Sequence, residues 1–226
     1  MPVLTSVFAR IAGLRVAFGN FPAAWNGFLT DTGAQPPDVR FETVPVLLSA
    51  QAERRFSWND LFRSLKKKVE CYDLPDGQRL LCNLGDPTIL PVCCSADYSR
   101  VQVICPDDTL LANADALDLL RIPIECRFIH ESIVSLHAAC VEEGSCAVCF
   151  TGDSGVGKST RAKTWVDALG AEFISGDRPA VRLEKSGSVA CGVPWDGKEQ
   201  IFRNVERPLR AILEAVSYTH LRAHET

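Results

Sequence analysis

The apolar positions of this chain form short, weakly ordered runs in its first half. IAGLRVAF and VRFETVPVLLS are apolar enough to predict strands, and SWNDLFRSLKKK has the spacing of a short helix. KVECYDLPDGQRLLCNLG places apolar runs on either side of Asp76 and Gly77, which predicts a hairpin. No residues with evident chemistry group together in this half.

The pattern becomes sharper from Ile133 onward. IVSLHAACV predicts one strand with His137 at its middle, and CAVCFT predicts a buried strand after a turn at 142–145. That second strand runs directly into the glycine-rich stretch TGDSGVGKST. The order strand, glycine loop, helix, strand follows from the residues beyond it.

Apolar residues after this stretch recur with helical spacing. The positions that share this spacing are Ala162, Trp165, Val166 and Leu169. Gly170 supplies a helix end, and EFIS predicts a short strand that finishes at Gly176 and Asp177.

Length and charge exclude several classes of protein. The chain has 226 residues, a net charge of -4 and a mean hydropathy of +0.04, as expected of a soluble globular protein with one large domain or two small ones. Its densest basic run, Lys66–Lys68, is typical of a solvated helix face, so we expect no nucleic-acid partner. No run of eighteen apolar residues occurs and Arg10 and Arg15 interrupt the apolar start, which predicts a cytoplasmic protein without membrane contact.

The ten cysteines are too sparse for a disulfide scaffold in a chain of this size. Cys146 and Cys149 form a C-x-x-C without a second pair, and Cys93 and Cys94 are adjacent. We expect reduced structural thiols, the alternative being a metal or redox site.

The final eleven residues, VSYTHLRAHET, differ from everything before them. They lack an apolar period and contain two of the four histidines of the chain, His220 and His224. They resemble the translation of a transposon-type sequencing adapter, so residues 216–226 are expected to be an artefactual tail that replaces a natural C-terminal segment. A short disordered tail is the alternative.

The glycine-rich stretch matches the phosphate-binding pattern G-x-x-x-x-G-K-[ST]. Gly152, Gly157, Lys158 and Ser159 occupy its fixed places. In such a loop the backbone amides and the positive end of the next helix bind phosphate oxygens, the lysine reaches the terminal phosphates and the serine ligates Mg²⁺. The expected nucleotide-binding residues are Gly152, Asp153, Ser154, Gly155, Val156, Gly157, Lys158, Ser159 and Thr160.

Two further residues are candidates for chemistry. Asp177 follows the next strand, where a second oxygen ligand for Mg²⁺ is needed beside Ser159, although Gly-Asp is also ordinary turn chemistry. His137 points either into the core or toward the phosphates. A glycine-rich turn that merely caps a helix is the alternative for the loop itself.

The order of these motifs resembles a known family. LHAACVEEGSCAVCFTGDSGVGKST, FISGDRPAVR and GVPWDG are similar to the nucleotide-binding domain of HPr kinase/phosphorylase, which is related to phosphoenolpyruvate carboxykinase. The likeness covers about residues 133–214. It implies an α/β fold, in a mixed-sheet α+β form, for a P-loop nucleotide-binding domain at 126–215, with a smaller mixed α/β region of unknown role at 1–125.

The resemblance also implies a reaction. It implies ATP-dependent phosphoryl transfer with Mg²⁺, in which His137 faces the active site and Asp177 binds metal or accepts the proton of the hydroxyl. Lys158 then serves catalysis by binding the phosphates. Arg178 is expected to neutralise a phosphate oxygen or hold a substrate carboxylate, and Trp195 and Gly197 to shape the acceptor pocket, with core packing as the alternative for Trp195.

Two departures separate the chain from the HPr kinases. They carry two adjacent aspartates before the arginine, where this chain reads Gly176-Asp177-Arg178, and they usually carry glutamate where this chain has Thr160. One carboxylate must therefore serve as base and metal ligand, or the base comes from elsewhere in the chain. We expect a divergent relative, similar to those that accompany peptide-modifying enzymes in bacteria.

The expected activity is a magnesium-assisted kinase acting on a hydroxyl of a protein or peptide, with ATP as the nucleotide partner. A non-catalytic ATP-binding module that a partner protein reads is a second hypothesis. Carboxykinase chemistry on a small acid is disfavoured because its extra ligands are missing, and a GTPase because no N-K-x-D motif occurs. The oligomeric state stays open, with a homo-oligomer compatible with the resemblance.

Overall fold

The computed structural model divides the chain into two compact units, residues 1–132 and 133–226. The structure describes residues 7–18, 23–30, 35–45, 53–57, 69–83, 85, 88–105, 119–195 and 201–215. The tail 216–226, the basic run Lys66–Lys68, most of SWNDLFRSLKKK and Gly197 lie outside these residues.

The first unit is built on a nine-stranded sheet. Its strands are β1 (Val7–Ile11), β2 (Leu14–Phe18), β3 (Leu29–Thr30), β4 (Val39–Val44), β5 (Glu53–Ser57), β6 (Val69–Asp73), β7 (Arg79–Asn83), β8 (Val92–Cys94) and β9 (Arg100–Ile104). They lie in the order β3-β1-β2-β4-β9-β8-β7-β6-β5, antiparallel except for the pairs β2–β4 and β4–β9. A 3-10 helix (Ala23–Phe28) and α1 (Arg121–His130) complete the described part.

Of two turns in this unit, one was predicted from the sequence and the other was not. The hairpin at Asp76 and Gly77 is confirmed, because β6 pairs with β7 and Gly77 donates its amide to the Leu74 carbonyl oxygen at 3.0 Å. IAGLRVAF is not one strand, since Ala12 and Gly13 turn the chain with positive φ and β1 pairs back on β2.

The second unit holds a seven-stranded sheet and one described α-helix. The strands are β10 (Ile133–Ser135), β11 (Ala138–Glu143), β12 (Cys146–Thr151), β13 (Glu172–Ser175), β14 (Ala180–Glu184), β15 (Gly187–Cys191) and β16 (Glu206–Glu214), and the helix is α2 (Lys158–Leu169). Their order is β10-β14-β15-β16-β12-β11-β13. The first part of β16 pairs antiparallel with β15 and its later part pairs parallel with β12.

The predicted α/β fold of the HPr kinase/carboxykinase type is wrong. Both sheets are dominated by antiparallel pairs, and the described residues contain only α1 and α2 as α-helices. In an α/β fold a helix covers each parallel crossover, whereas here short turns such as 144–145 join neighbouring strands directly. The N-terminal unit is likewise neither small nor a mixed α/β region.

Two apolar clusters hold the centre of the second unit. One cluster lies under α2 and contains Ala139, Val141, Val148, Phe150, Ala162 and Ala171. The other contains Ala138, Cys140, Ala147, Cys149, Ile174 and Ala190. Alternate residues of β11 and β12 therefore enter different clusters, and both faces of these central strands are buried. Leu169, predicted on the apolar helix face, is 59% exposed instead.

Candidate functional site

The glycine loop leaves β12 at Gly152 and enters α2 at Lys158. A Cβ on Gly152, whose φ is 137°, would lie 2.7 Å from the carbonyl oxygen of Ala215, so only glycine allows β16 to approach this closely. Gly157 is the N-cap of α2 in the left-handed region, with φ 92°. These two glycines fix where the loop begins and how it enters the helix.

The loop presents backbone donors rather than side chains. Within the described part of the chain, the amides of Ser154, Gly155 and residues 157–160 donate to no other group. The Val156 amide closes a turn on the Asp153 carbonyl oxygen at 3.3 Å. Free amides at the start of a twelve-residue helix, where the helix dipole is positive, form an environment that favours an anion.

Lys158 is held against this loop. Its side chain is buried, at 8% exposure, and its Nζ donates to the carbonyl oxygens of Gly152 and Asp153 at 3.1 Å each. The ammonium group is thus held over the same loop that exposes its amides. Positive charge and unpartnered donors therefore lie together.

Ser159 connects the helix start to the turn after β13. Its Oγ donates to the Gly176 carbonyl oxygen at 3.4 Å. Within that turn the buried Ser175 Oγ accepts a hydrogen bond from the Arg178 amide at 3.0 Å. The amide of Gly176 donates to Ile201, and the Asp177 carbonyl oxygen accepts from the Ala138 amide. The backbone of the turn is thereby fixed beside the helix N-terminus.

The carboxylate of Asp177 has a cationic or ionisable neighbour at each oxygen. Its Oδ1 lies 3.2 Å from His137 Nε2, and its Oδ2 lies 3.5 Å from Arg178 Nε. All three side chains are partly exposed, and that of His137 is 54% exposed. A carboxylate and an imidazole that lie this close together can take up a proton at a solvent-accessible position.

His137 was predicted at the middle of one long strand, and this prediction is wrong. The segment breaks after Ser135, and His137 lies in a bend between β10 and β11. Thr151 Oγ1 donates to its carbonyl oxygen at 3.3 Å, which attaches the bend to the end of β12. The break turns the imidazole outward toward Asp177 instead of into the core.

The predicted site residues therefore separate into groups. The nine loop residues from Gly152 to Thr160 are contiguous, and Ser159 joins them to the turn that carries Asp177, Arg178 and, by contact, His137. Trp195 is buried at 7% exposure, as in core packing. Gly197 lies outside the described residues.

Sequence reasoning missed Ser175. A serine three residues before an arginine in S-G-D-R is a signal for a side-chain-capped turn, because a serine oxygen readily accepts a nearby backbone amide. It also missed the residues at the end of β16 that lie beside the loop. The sequence pattern indicates these residues only weakly, because the pairing of β16 with β12 is visible only in the fold.

The buried thiols of the second unit are structural groups. Cys140 and Cys149 oppose each other across β11 and β12, and the hydrogen bond that the Cys140 thiol donates to Cys149, together with burial, raises the pKa of Cys140 far above its usual value. Burial raises the pKa of Cys191 to about 12. The ten cysteines, all of which lie in the described residues, form no disulfide, and thiols buried in this way are poor nucleophiles.

The oxygen donors present fit Mg²⁺ better than a transition metal. Ser159 and Asp177 supply a hydroxyl and a carboxylate in adjoining positions, and the described residues contain no cluster of three His, Cys, Asp or Glu side chains suited to a metal. Mg²⁺ commonly takes only one or two protein ligands and completes its shell with phosphate oxygens and water. The pair therefore fits a magnesium–nucleotide complex rather than a free metal ion.

No family model matches this chain, and no curated protein matches it either. Neither of the helices in the described ranges has the length and apolar character needed to cross a membrane.

Proposed function

We propose that this chain is a cytoplasmic, ATP-dependent phosphotransferase that uses Mg²⁺ and phosphorylates a hydroxyl of a protein or peptide. The observation that carries the proposal is the bond between Ser159 and the Gly176 carbonyl oxygen. It joins a loop with free amides and a buried lysine to the turn that presents Asp177. The motif order that resembles the HPr kinases supports the same reaction.

Each group has a distinct task in this proposal. The amides of residues 154, 155 and 157–160 and the Lys158 ammonium bind the β- and γ-phosphate oxygens of ATP. Ser159 and Asp177 hold Mg²⁺, which when bound neutralises charge on those oxygens. Arg178 contributes a further positive charge next to Asp177. Positioning and charge neutralisation supply most of the rate enhancement in phosphoryl transfer.

The transfer step needs no reactant other than ATP and the acceptor hydroxyl. The acceptor oxygen forms a bond to the γ-phosphorus while the bond between that phosphorus and the β-phosphate oxygen breaks, and ADP leaves. The hydroxyl proton passes to the Asp177–His137 pair, whose facing atoms are 3.2 Å apart. Because His137 is more than half exposed, the proton can then leave to solvent.

One observation favours a second function, that of an ATP-binding module without catalysis. Both carboxylate oxygens of Asp177 already have a neighbour, His137 on one side and Arg178 on the other. A metal ion must displace or share one of these contacts. In the module, ATP binds to the loop and a partner protein recognises the ATP-bound form.

A binding and transfer experiment distinguishes the two. Calorimetry with ATP and Mg²⁺ measures affinity, and γ-labelled ATP with a library of serine- and threonine-containing peptides measures transfer. We expect binding and transfer by the wild type, and a loss of affinity of about 100-fold or more in Lys158→Ala. Lys163→Ala is the matched control, because Lys163 is an exposed residue of the same helix.

The kinase and the non-catalytic module predict different results in these measurements. Binding without transfer to any peptide, and without ATP hydrolysis, supports the module. Unchanged ATP affinity in Lys158→Ala, with circular dichroism showing an intact fold, contradicts both functions, since each requires the loop to hold the phosphates.

A further inference from the structure

A groove of about 300 Å³ lies beside the glycine loop, between α2 and the end of β16. Its lining residues are Phe150, Arg161, Thr164, Trp165, Leu213 and Glu214. Phe150 and Trp165 meet edge to face, with ring centroids 5.4 Å apart. The groove thus combines aromatic and aliphatic surface with an arginine, a hydroxyl and a carboxylate, a lining typical of small-molecule sites.

The register of the strands explains why these residues meet. Phe150 pairs with Leu213 across the parallel strands β12 and β16, so both side chains lie on the face that α2 covers. Leu213 is 39% exposed, and Thr164 and Glu214 are exposed as well. Apolar surface of β12 and β16 is therefore exposed to solvent at the edge of the face that α2 otherwise covers.

The groove is continuous with the phosphate-binding loop at two points. Along the helix, Arg161 directly follows Thr160, the last residue of the free-amide set, and Thr164 lies about 6 Å from Thr160 along the axis at 1.5 Å per residue. Along the strand, Glu214 precedes Ala215, whose amide donates to the Thr151 carbonyl oxygen at 2.7 Å, immediately before the loop.

We infer that this groove binds the nucleoside part of the nucleotide whose phosphates occupy the loop, an inference that rests on the proposed function. The base lies against Trp165 and Leu213, with the buried Phe150 ring behind them, where a flat ring replaces water on exposed apolar atoms. The Glu214 carboxylate accepts hydrogen bonds from ribose hydroxyls, the pairing that acidic side chains make with ribose in other nucleotide sites. Asp177 lies on the opposite side of β12, beyond β11, so base and metal ligands flank the loop.

The test compares ATP with inorganic tripolyphosphate, which has the phosphates but no nucleoside. Calorimetry in Mg²⁺ should show that wild-type protein binds ATP about tenfold or more tightly than tripolyphosphate. Thr164→Phe, which fills the groove from the helix, should abolish this preference while leaving tripolyphosphate affinity unchanged. Lys163→Phe is the matched control, because Lys163 is exposed on the same helix but does not line the groove.

Glu214→Gln provides an independent measurement that requires no filling of the groove. It should reduce the preference for ATP over 2′-deoxy-ATP and leave tripolyphosphate affinity unchanged. Equal wild-type affinity for ATP and tripolyphosphate, or equal weakening of both by Thr164→Phe, overturns the nucleoside site while the phosphate loop stands. Failure of wild type to bind either ligand instead overturns the proposed function.

Discussion

The glycine loop and the turn that carries Asp177 lie side by side but satisfy their backbone groups in opposite ways. The loop leaves the amides of residues 154, 155 and 157–160 without partners in the described structure. The turn has its backbone bonded on three sides, through Ser175, Ile201 and Ala138. The loop therefore presents backbone donors without partners, whereas the turn presents the Asp177 side chain on a backbone that is fixed by hydrogen bonds.

The loop can adapt to an arriving ligand, whereas the turn cannot. Free amides cost little on the surface because water can reach them, and an arriving anion replaces that water. A carboxylate that must meet a metal and a proton needs a defined position, and the bonded turn provides it. Changes in the loop should therefore affect binding, whereas changes in the turn should affect transfer.

Asp177→Asn should produce the largest effect and should separate the two regions most clearly. The amide keeps the shape of the side chain but removes its charge and most of its basicity, so transfer should fall about 10³-fold. ATP affinity should change by no more than about threefold, because the loop amides and Lys158 remain. Single-turnover rates with γ-labelled ATP and calorimetry measure the two quantities.

The conservative variant Asp177→Glu serves as control, with partial transfer expected from a retained carboxylate. Turnover by Asp177→Asn at the wild-type rate would assign the base and metal roles to other residues.

Gly152→Ala should come next, acting through the loop. The added Cβ meets the Ala215 carbonyl oxygen at 2.7 Å, so the end of β16 must move, at a cost of about 1–3 kcal/mol in the free energy of unfolding. Urea denaturation measures this loss, and ATP affinity should fall with it. Gly155→Ala is the control, since its φ of 83° imposes strain but nothing lies within 4 Å of the new Cβ. Equal stability of the two variants would contradict the close approach of β16.

Ser175→Ala tests the frame of the turn with a smaller change. Loss of the hydroxyl leaves the Arg178 amide without its acceptor, which should cost about 1–2 kcal/mol of stability. Transfer should fall about tenfold because Asp177 is less well positioned, while ATP affinity stays unchanged. Ser186→Ala, at an exposed serine between β14 and β15, should have neither effect. A loss of ATP affinity in Ser175→Ala would show that turn and loop are not separable.

The local order of strand, loop and helix was predictable from the sequence, whereas the architecture was not, for different physical reasons. The pattern of Gly152, Gly157, Lys158 and Ser159 encodes local geometry, because both glycines are needed for their positive φ angles and the two polar residues begin the helix. Strand, loop and helix around it follow from local periodicity and are present in the structure. Local signals do not specify which strands become neighbours.

Two errors illustrate this limit. The parallel pairing of β12 with β16 joins residues about sixty positions apart, and no periodic pattern in the sequence predicts this pairing. IVSLHAACV reads as one strand because most of its residues are apolar, yet Leu136 donates its amide to the Pro179 carbonyl oxygen and the chain bends at His137. Long-range contacts of this kind override propensity, and they also place His137 beside Asp177.

Glu142→Gln should give the smallest effect, because it acts on the support behind the turn. Glu142 accepts hydrogen bonds from Arg203 and Arg207, and the Arg203 amide in turn donates to Ile174 in β13. Burial raises the pKa of Glu142, but these hydrogen bonds outweigh it, so the folded-state pKa lies below its ordinary value. The charged form is therefore favoured by folding.

The stabilisation that Glu142 provides should depend on pH. A carboxylate whose pKa is lowered in the folded state stabilises above its unfolded pKa, about 4.3 for glutamate, and this contribution disappears as pH falls through the folded pKa. Glu142→Gln should thus lose up to about 1 kcal/mol at pH 7 and converge with wild type in acid. Glu143→Gln, which removes the more exposed pair with Arg210, should change stability less. A pH-independent difference between Glu142→Gln and wild type would mean that packing, not charge, makes Glu142 stabilising, and the turn would then be fixed by its backbone bonds alone.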